Sequence, residues 1–130
     1  MNRIDQYRTY QIETSGPENQ VALLYDGARR FIDQAASALE ARRYDEVSTN
    51  IGKAQRIFGE LAACLNFEAG EVAQNLLSLY DYWIWRLSQG LIHKDAAAFR
   101  EVSLTLVDLQ AAWAEAARQV RAQRGVRASG

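Results

Sequence analysis

Proline occurs once in 130 residues, at Pro17, against an average usage of about 5%. Folds built from many short strands need frequent turn residues, so this scarcity excludes a sandwich or barrel. Cysteine is equally rare. Cys64 stands alone, cannot close an intrachain disulfide and suits a reducing compartment. Neither sign of charge dominates: 15 basic and 16 acidic residues leave a formal net charge of −1. Long-range steering toward nucleic acid or anionic lipid is therefore not expected. No apolar run approaches the roughly 18 residues of a membrane span. The stretch Met1 to Ser15 holds charged residues throughout and lacks the apolar centre of a signal peptide. These absences lead us to expect one cytoplasmic domain.

What is present is helix-forming. Alanine, leucine, arginine, glutamine and glutamate dominate, and these residues favour helices. We divide the chain into an irregular N-terminal arm (1–16), four helices (17–43, 44–66, 71–91 and 95–121) and a frayed C-terminal tail (122–130). Pro17 suits a first helical position, with Ser15 or Gly16 as its cap. Val21, Leu24, Tyr25, Ala28, Phe31, Ile32, Ala35 and Leu39 follow at spacings of three and four, one face of a helix. Arg42 and Arg43 would complement the dipole at its end. The second helix carries Val47, Ile51, Ala54, Phe58, Leu61 and Leu65, with Asp45 as its expected cap and Ile57 and Cys64 beside the stripe. Gly70 gives the next connection its turn freedom. The third stripe runs through Ala73, Leu76, Leu77, Tyr80, Ile84, Leu87 and Leu91, and the fourth through Phe99, Val102, Leu106, Leu109, Trp113, Ala116 and Val120, capped by Asp95. Short connections between long helices predict an all-α, antiparallel up-down-up-down four-helix bundle.

Little in this pattern supports catalysis. Di-iron bundles need Glu-x-x-His on two helices, and the only histidine, His93, has no glutamate three residues before it. No metal or other cofactor is expected. Cys64 lies beside an apolar stripe with no histidine near it, and reads as a small hydrophobe. Gly27, inside the first helix, suggests close helix approach. No nucleophile elbow or phosphate-cradling glycine loop occurs. Arg118, Arg121, Arg124 and Arg127 recur every third residue, which fits a solvated helix end better than a nucleic-acid surface. We expect a non-enzyme.

The informative feature is an excess of large apolar side chains. The third helix packs Leu79, Tyr80, Tyr82, Trp83, Ile84, Trp85 and Leu87 into one short stretch, more than one buried stripe requires. Leu104 and Val107 fall off the fourth stripe and Ile57 off the second. Three uses compete: wide seams between helices, a homo-oligomer interface, or a groove for a helical or extended peptide. Tyr7 and Tyr10 in the arm could fold back over such a groove. We take Ile57, Leu79, Tyr82, Trp83, Leu104 and Val107 as candidate binding residues, with Lys53 and Gln55 on the polar side of the second helix as candidates for fixing register. Tyr25 and Tyr80 are assigned to the core.

In order and spacing, several stretches resemble the flagellin-specific export chaperones of bacteria, the FliS-type family. They are Leu24-Tyr25-Asp26-Gly27-Ala28 with Phe31-Ile32, Lys53-Ala54-Gln55 with Ile57, Glu60-Leu61, Leu65-Asn66, Glu68, Gly70-Glu71, Asn75-Leu76, Leu79-Tyr80-Asp81-Tyr82, Arg86-Leu87 and Ala112-Trp113. Gly16, Gln20 and Gln110 depart from the family pattern. The resemblance implies a cytoplasmic helical bundle without catalytic activity. It implies a client, the C-terminal helical segment of flagellin, kept from premature polymerisation and delivered to the type III export apparatus. A component of the export gate is a further candidate partner. The resemblance also implies an arm, here Tyr7 and Tyr10, that contacts the bundle and rearranges on client binding. The chain is expected to be a monomer or weak homodimer. The competing expectation is a helical adaptor that self-associates through its aromatic patch.

Overall fold

A computed structural model describes residues 18–129; the arm with Tyr7 and Tyr10, the start at Pro17 and its cap lie outside the described residues. Four helices account for nearly all of it: α1 (Glu18–Glu40), α2 (Tyr44–Ala63), α3 (Glu71–His93) and α4 (Ala96–Ser129), with a 3-10 turn at Phe67–Ala69 between α2 and α3. No strand occurs among the described residues. Each helix packs against two others, α1 on α2 and α4, and α3 on α2 and α4.

Side-chain pairs give the register. Between α1 and α4, Asp26 meets Gln110, Asp33 meets Ser103 and Glu40 meets Arg100. One number rises as the other falls, so these helices are antiparallel. Between α1 and α2, Lys53 lies over Phe31 and Ile57 opposite Gly27. Gln55 reaches Ile84 and Ser88, while Phe58 reaches Tyr80 and Trp83 between α2 and α3. The same inversion holds for both pairs, as the up-down-up-down expectation requires.

The connections are tight because two basic residues adopt left-handed backbone. Arg42 has φ 59° and Lys94 φ 51°. After α1, Arg43 N–H donates to Ala38 O and Arg42 N–H to Leu39 O. After α3, Asp95 N–H donates to Gly90 O and Lys94 N–H to Leu91 O. Both are Schellman closures, which satisfy orphan carbonyls at a helix end. Helix α1 therefore stops at Glu40, short of the expected 43. Arg43 stands at the N-cap of α2, so Asp45 lies inside its first turn and does not cap it. Asp95 does cap α4, accepting from Ala97 N–H at 3.0 Å. Helix α2 ends at Ala63, and Asn66 caps the 3-10 turn that follows. Gly70, at φ 90°, makes the turn into α3.

At the far end, α4 continues to Ser129, where fraying was expected after 121. The stretch is rich in Ala, Gln and Arg and holds no proline, and adding turns to an existing helix needs no new nucleus.

The core follows the expected stripes, with Ala38, Val72, Trp83 and Ala98 buried in addition. Trp83 is fully buried, together with Tyr25, Phe58, Phe99, Ile32, Ile51, Leu76, Leu87 and Leu106. The buried line on α3 is Leu76, Tyr80, Trp83, Leu87 and Gly90, while Ile84 is half-buried and packs on the core. The opposite error concerns Cys64, which is exposed. Gly27 is not the point of close approach, since a Cβ there would meet Ile57 Cδ1 at an ordinary 3.6 Å. That point is Gly90, where a Cβ would stand 2.6 Å from the buried Phe99 ring.

The two kinds of glycine predict opposite signs in denaturant unfolding. Gly59→Ala, exposed with nothing within 4 Å of its Cβ position, should stabilise by about 0.5–1 kcal/mol through helix propensity. Gly90→Ala should destabilise by about 1–3 kcal/mol, because the added methyl would force the buried Phe99 ring to shift. Phe58→Ala should cost about 3–5 kcal/mol.

Candidate interaction surface

Helix α3 uses both of its sides. Tyr80, Trp83 and Leu87 face inward, while Tyr82, Trp85 and Ile92 stand exposed at 43%, 55% and 68%. Positions 82, 85, 89 and 92 alternate spacings of three and four, so they share one face. Gln89 is half-buried at the remaining position. Helix α4 repeats the device: Leu104 and Val107 are exposed, followed at the same spacing by exposed Ala111 and Ala114.

One polar cluster joins the two outer faces. Tyr82 donates its hydroxyl hydrogen to Glu101 Oε2 at 2.7 Å, and Arg86 Nε donates to the same oxygen at 3.2 Å. Glu101 lies one turn before Leu104 on α4. The Tyr82 and Trp85 rings are 5.9 Å apart at 39°, a tilted pairing that aromatic quadrupoles favour. The hydrogen bond to Glu101 holds the Tyr82 phenol above its ordinary pKa, since losing the proton would place two negative charges together; Arg86 partly offsets this. The cluster leaves Glu101 paired with Arg86.

The candidate residues scatter around this surface. Tyr82, Leu104 and Val107 lie on it. Leu79 is half-buried and packs on the core, as does Ile57 in the seam opposite Gly27. The expected placement of Trp83 off the buried stripe is corrected: it is wholly buried, its ring tilted against Phe58 at 5.0 Å and Tyr80 at 5.9 Å. Its neighbours Tyr82 and Trp85 carry the exposure instead. Lys53 is exposed, its ammonium 5.4 Å from the Phe31 ring centroid. Gln55 is engaged inside the bundle, where Nε2 donates to Ile84 O at 3.0 Å and Ser88 Oγ at 2.8 Å. It ties α2 to α3. Tyr7 and Tyr10 fall outside the described residues.

Trp85 and Ile92 were missing from the candidates. Their signal was in the sequence as the 82–85–89–92 spacing, hidden because it overlaps the buried 80–83–87–90 line. A polar cleft between the end of α1 and the start of α2, lined by Asp33, Gln34, Ser37, Arg43, Glu46 and Asn50, is a separate feature. Among the described residues no three of His, Cys, Asp and Glu gather as a metal site. No described helix is long and apolar enough to cross a membrane.

The model of the family "Flagellar protein FliS" matches residues 1–120. The flagellar secretion chaperone FliS of Bacillus subtilis is 32% identical over 118 residues, covering 91% of this chain and 88% of its own. The flagellar secretion chaperone FliSB of Pseudomonas aeruginosa is 34% identical over 118 residues, covering 87% and 94%. The FliS of Salmonella typhimurium is 35% identical over 104 residues, covering 78% and 77%. With the family matched over all but the last ten residues of the sequence, this chain belongs to the FliS family of flagellar proteins.

Proposed function

We propose that this chain is a flagellar export chaperone without catalytic activity. It acts in the cytoplasm, holds the C-terminal helical segment of flagellin until export and hands it to the type III export apparatus. The observation that carries this reading is the outer apolar face of α3 and α4, left exposed by a core that is already complete. Family membership and the names of the relatives support the chaperone role.

The physics of such a client suits this surface. A segment that orders on binding loses conformational entropy and needs a broad apolar area to offset it. Covering a large exposed side chain such as Trp85, Ile92 or Leu104 contributes about 1–3 kcal/mol. An amphipathic helix offers anchors at the same three-and-four spacing as 82–85–89–92. Glu101, Arg86 and Tyr82 satisfy one another, so a client can cover them without leaving an unpaired charge.

Two measurements check this reading. Isothermal titration should show binding to full-length flagellin and none to flagellin lacking its C-terminal segment; equal binding to both, or to neither, would sink the proposal. In the chain itself, Leu104→Asp with Val107→Asp should weaken flagellin binding at least about tenfold, or about 1.4 kcal/mol. Unfolding stability should stay within about 0.5 kcal/mol, because both residues are exposed.

A further inference from the structure

Charge is segregated along this chain in a way its net value of −1 conceals. From Ala116 to Ser129 there are four arginines, Arg118, Arg121, Arg124 and Arg127, and no acidic residue. The preceding 115 residues hold 11 basic and 16 acidic side chains. An acidic bundle thus carries a basic helical end. The register of α1 on α4, Asp26 with Gln110 and Asp33 with Ser103, sets Glu18 level with about residue 118. Residues 119–129 of α4 therefore run on past the first residue of α1, for about 16 Å at 1.5 Å per residue. Of this stretch, Ala122, Gln123 and Gly125 are exposed, as is Arg118 just before it. Arg118 is paired with Glu115 on the preceding turn; the sequence places no Asp or Glu three or four positions from Arg121, Arg124 or Arg127. The family match ends at residue 120, so most of this extension lies outside the part shared with the family and outside the client surface proposed above.

We propose that the α4 extension docks an acidic segment of a partner protein, one rich in Asp and Glu. Arginine presents a planar fork that pairs with carboxylates through two hydrogen bonds. Other polyanions fit less well. Val120 and Val126 are the only large apolar residues after Trp113, so the helix lacks the apolar face that a bilayer-bound helix inserts. It has no aromatic residue after Trp113 on which a nucleic-acid base could stack. A long polyanion would also pass the acidic bundle and be repelled, whereas a short acidic segment meets only the extension.

Fluorescence anisotropy of a labelled twelve-residue Glu/Asp peptide (about 18 Å long as a helix and longer when extended, enough to cover the extension) tests this on the full chain. Binding should weaken steeply between about 50 and 200 mM salt. The triple variant Arg121→Gln, Arg124→Gln, Arg127→Gln should bind the peptide at least about tenfold more weakly, while keeping its helix content and its affinity for flagellin; the Arg→Lys triple should retain part of the binding. Equal peptide binding by wild type and the Gln variant would overturn the proposal. So would tighter binding to single-stranded RNA or to phosphatidylserine vesicles than to the peptide. Salt-sensitive self-association that the Gln variant abolishes would name a second copy as the occupant, and would also overturn it.

Discussion

A continuous chain of aromatic contacts ties all four helices together. Trp113 of α4 lies 6.4 Å from Tyr25 of α1, and the Tyr25 hydroxyl meets the Tyr80 hydroxyl of α3 at 2.6 Å. Tyr80 stacks on Phe58 of α2, which in turn lies 5.0 Å from Trp83. Each pair adds about 0.5–1.5 kcal/mol beyond the area it buries. The tyrosines show why the chain is specific. A buried hydroxyl is tolerated when it is hydrogen-bonded, and these two meet only if α1 and α3 hold one register. Trp83 Nε1 has no hydrogen-bond partner among the described residues, a penalty of about 1–3 kcal/mol. Burying roughly 200 Å² of indole, worth about 5 kcal/mol, outweighs it.

Because this axis completes the core, the outer faces of α3 and α4 are released from a folding role. Helix α3 carries two overlapping apolar lines, 80–83–87 inward and 82–85–92 outward, and Gly90 lets α4 approach closely enough for Phe99 to seal the inner one. The Tyr82–Glu101–Arg86 cluster spans the outer boundary between the helices without leaving a bare charge on it. Under the function proposed above, stability and recognition fall to different side chains of the same helices. On that proposal, a substitution on the exposed outer line alters binding while leaving the bundle intact.

Most of the fold was legible in the sequence because helical periodicity and proline scarcity act locally. The stripes of α1, α2 and α4 became the core nearly residue for residue. Trp83 was misplaced since, in a helix apolar around most of its circumference, spacing alone does not say which of two lines faces inward; the partners Phe58 and Tyr80 decide that. Helix ends were misjudged where arginine and lysine took left-handed backbone usually left to glycine. Gln55 looked like polar surface because its acceptors, Ile84 O and Ser88 Oγ, lie on another helix. The surface residues Tyr82, Leu104 and Val107 were recognisable as apolar positions off the main stripes. The client itself was suggested only by family resemblance.

The central claim is that a closed aromatic axis and an open binding face coexist on α3, and its two neighbouring tryptophans report on each separately. We would record the indole N–H signals of Trp83 and Trp85 by heteronuclear NMR while titrating in the C-terminal segment of flagellin. The account predicts that the Trp85 signal shifts or broadens as the client covers it, while the Trp83 signal keeps its position and its slow exchange with solvent. A shift of Trp83 with Trp85 unmoved would contradict the account, because the client would then be entering the core and not lying on the outer face.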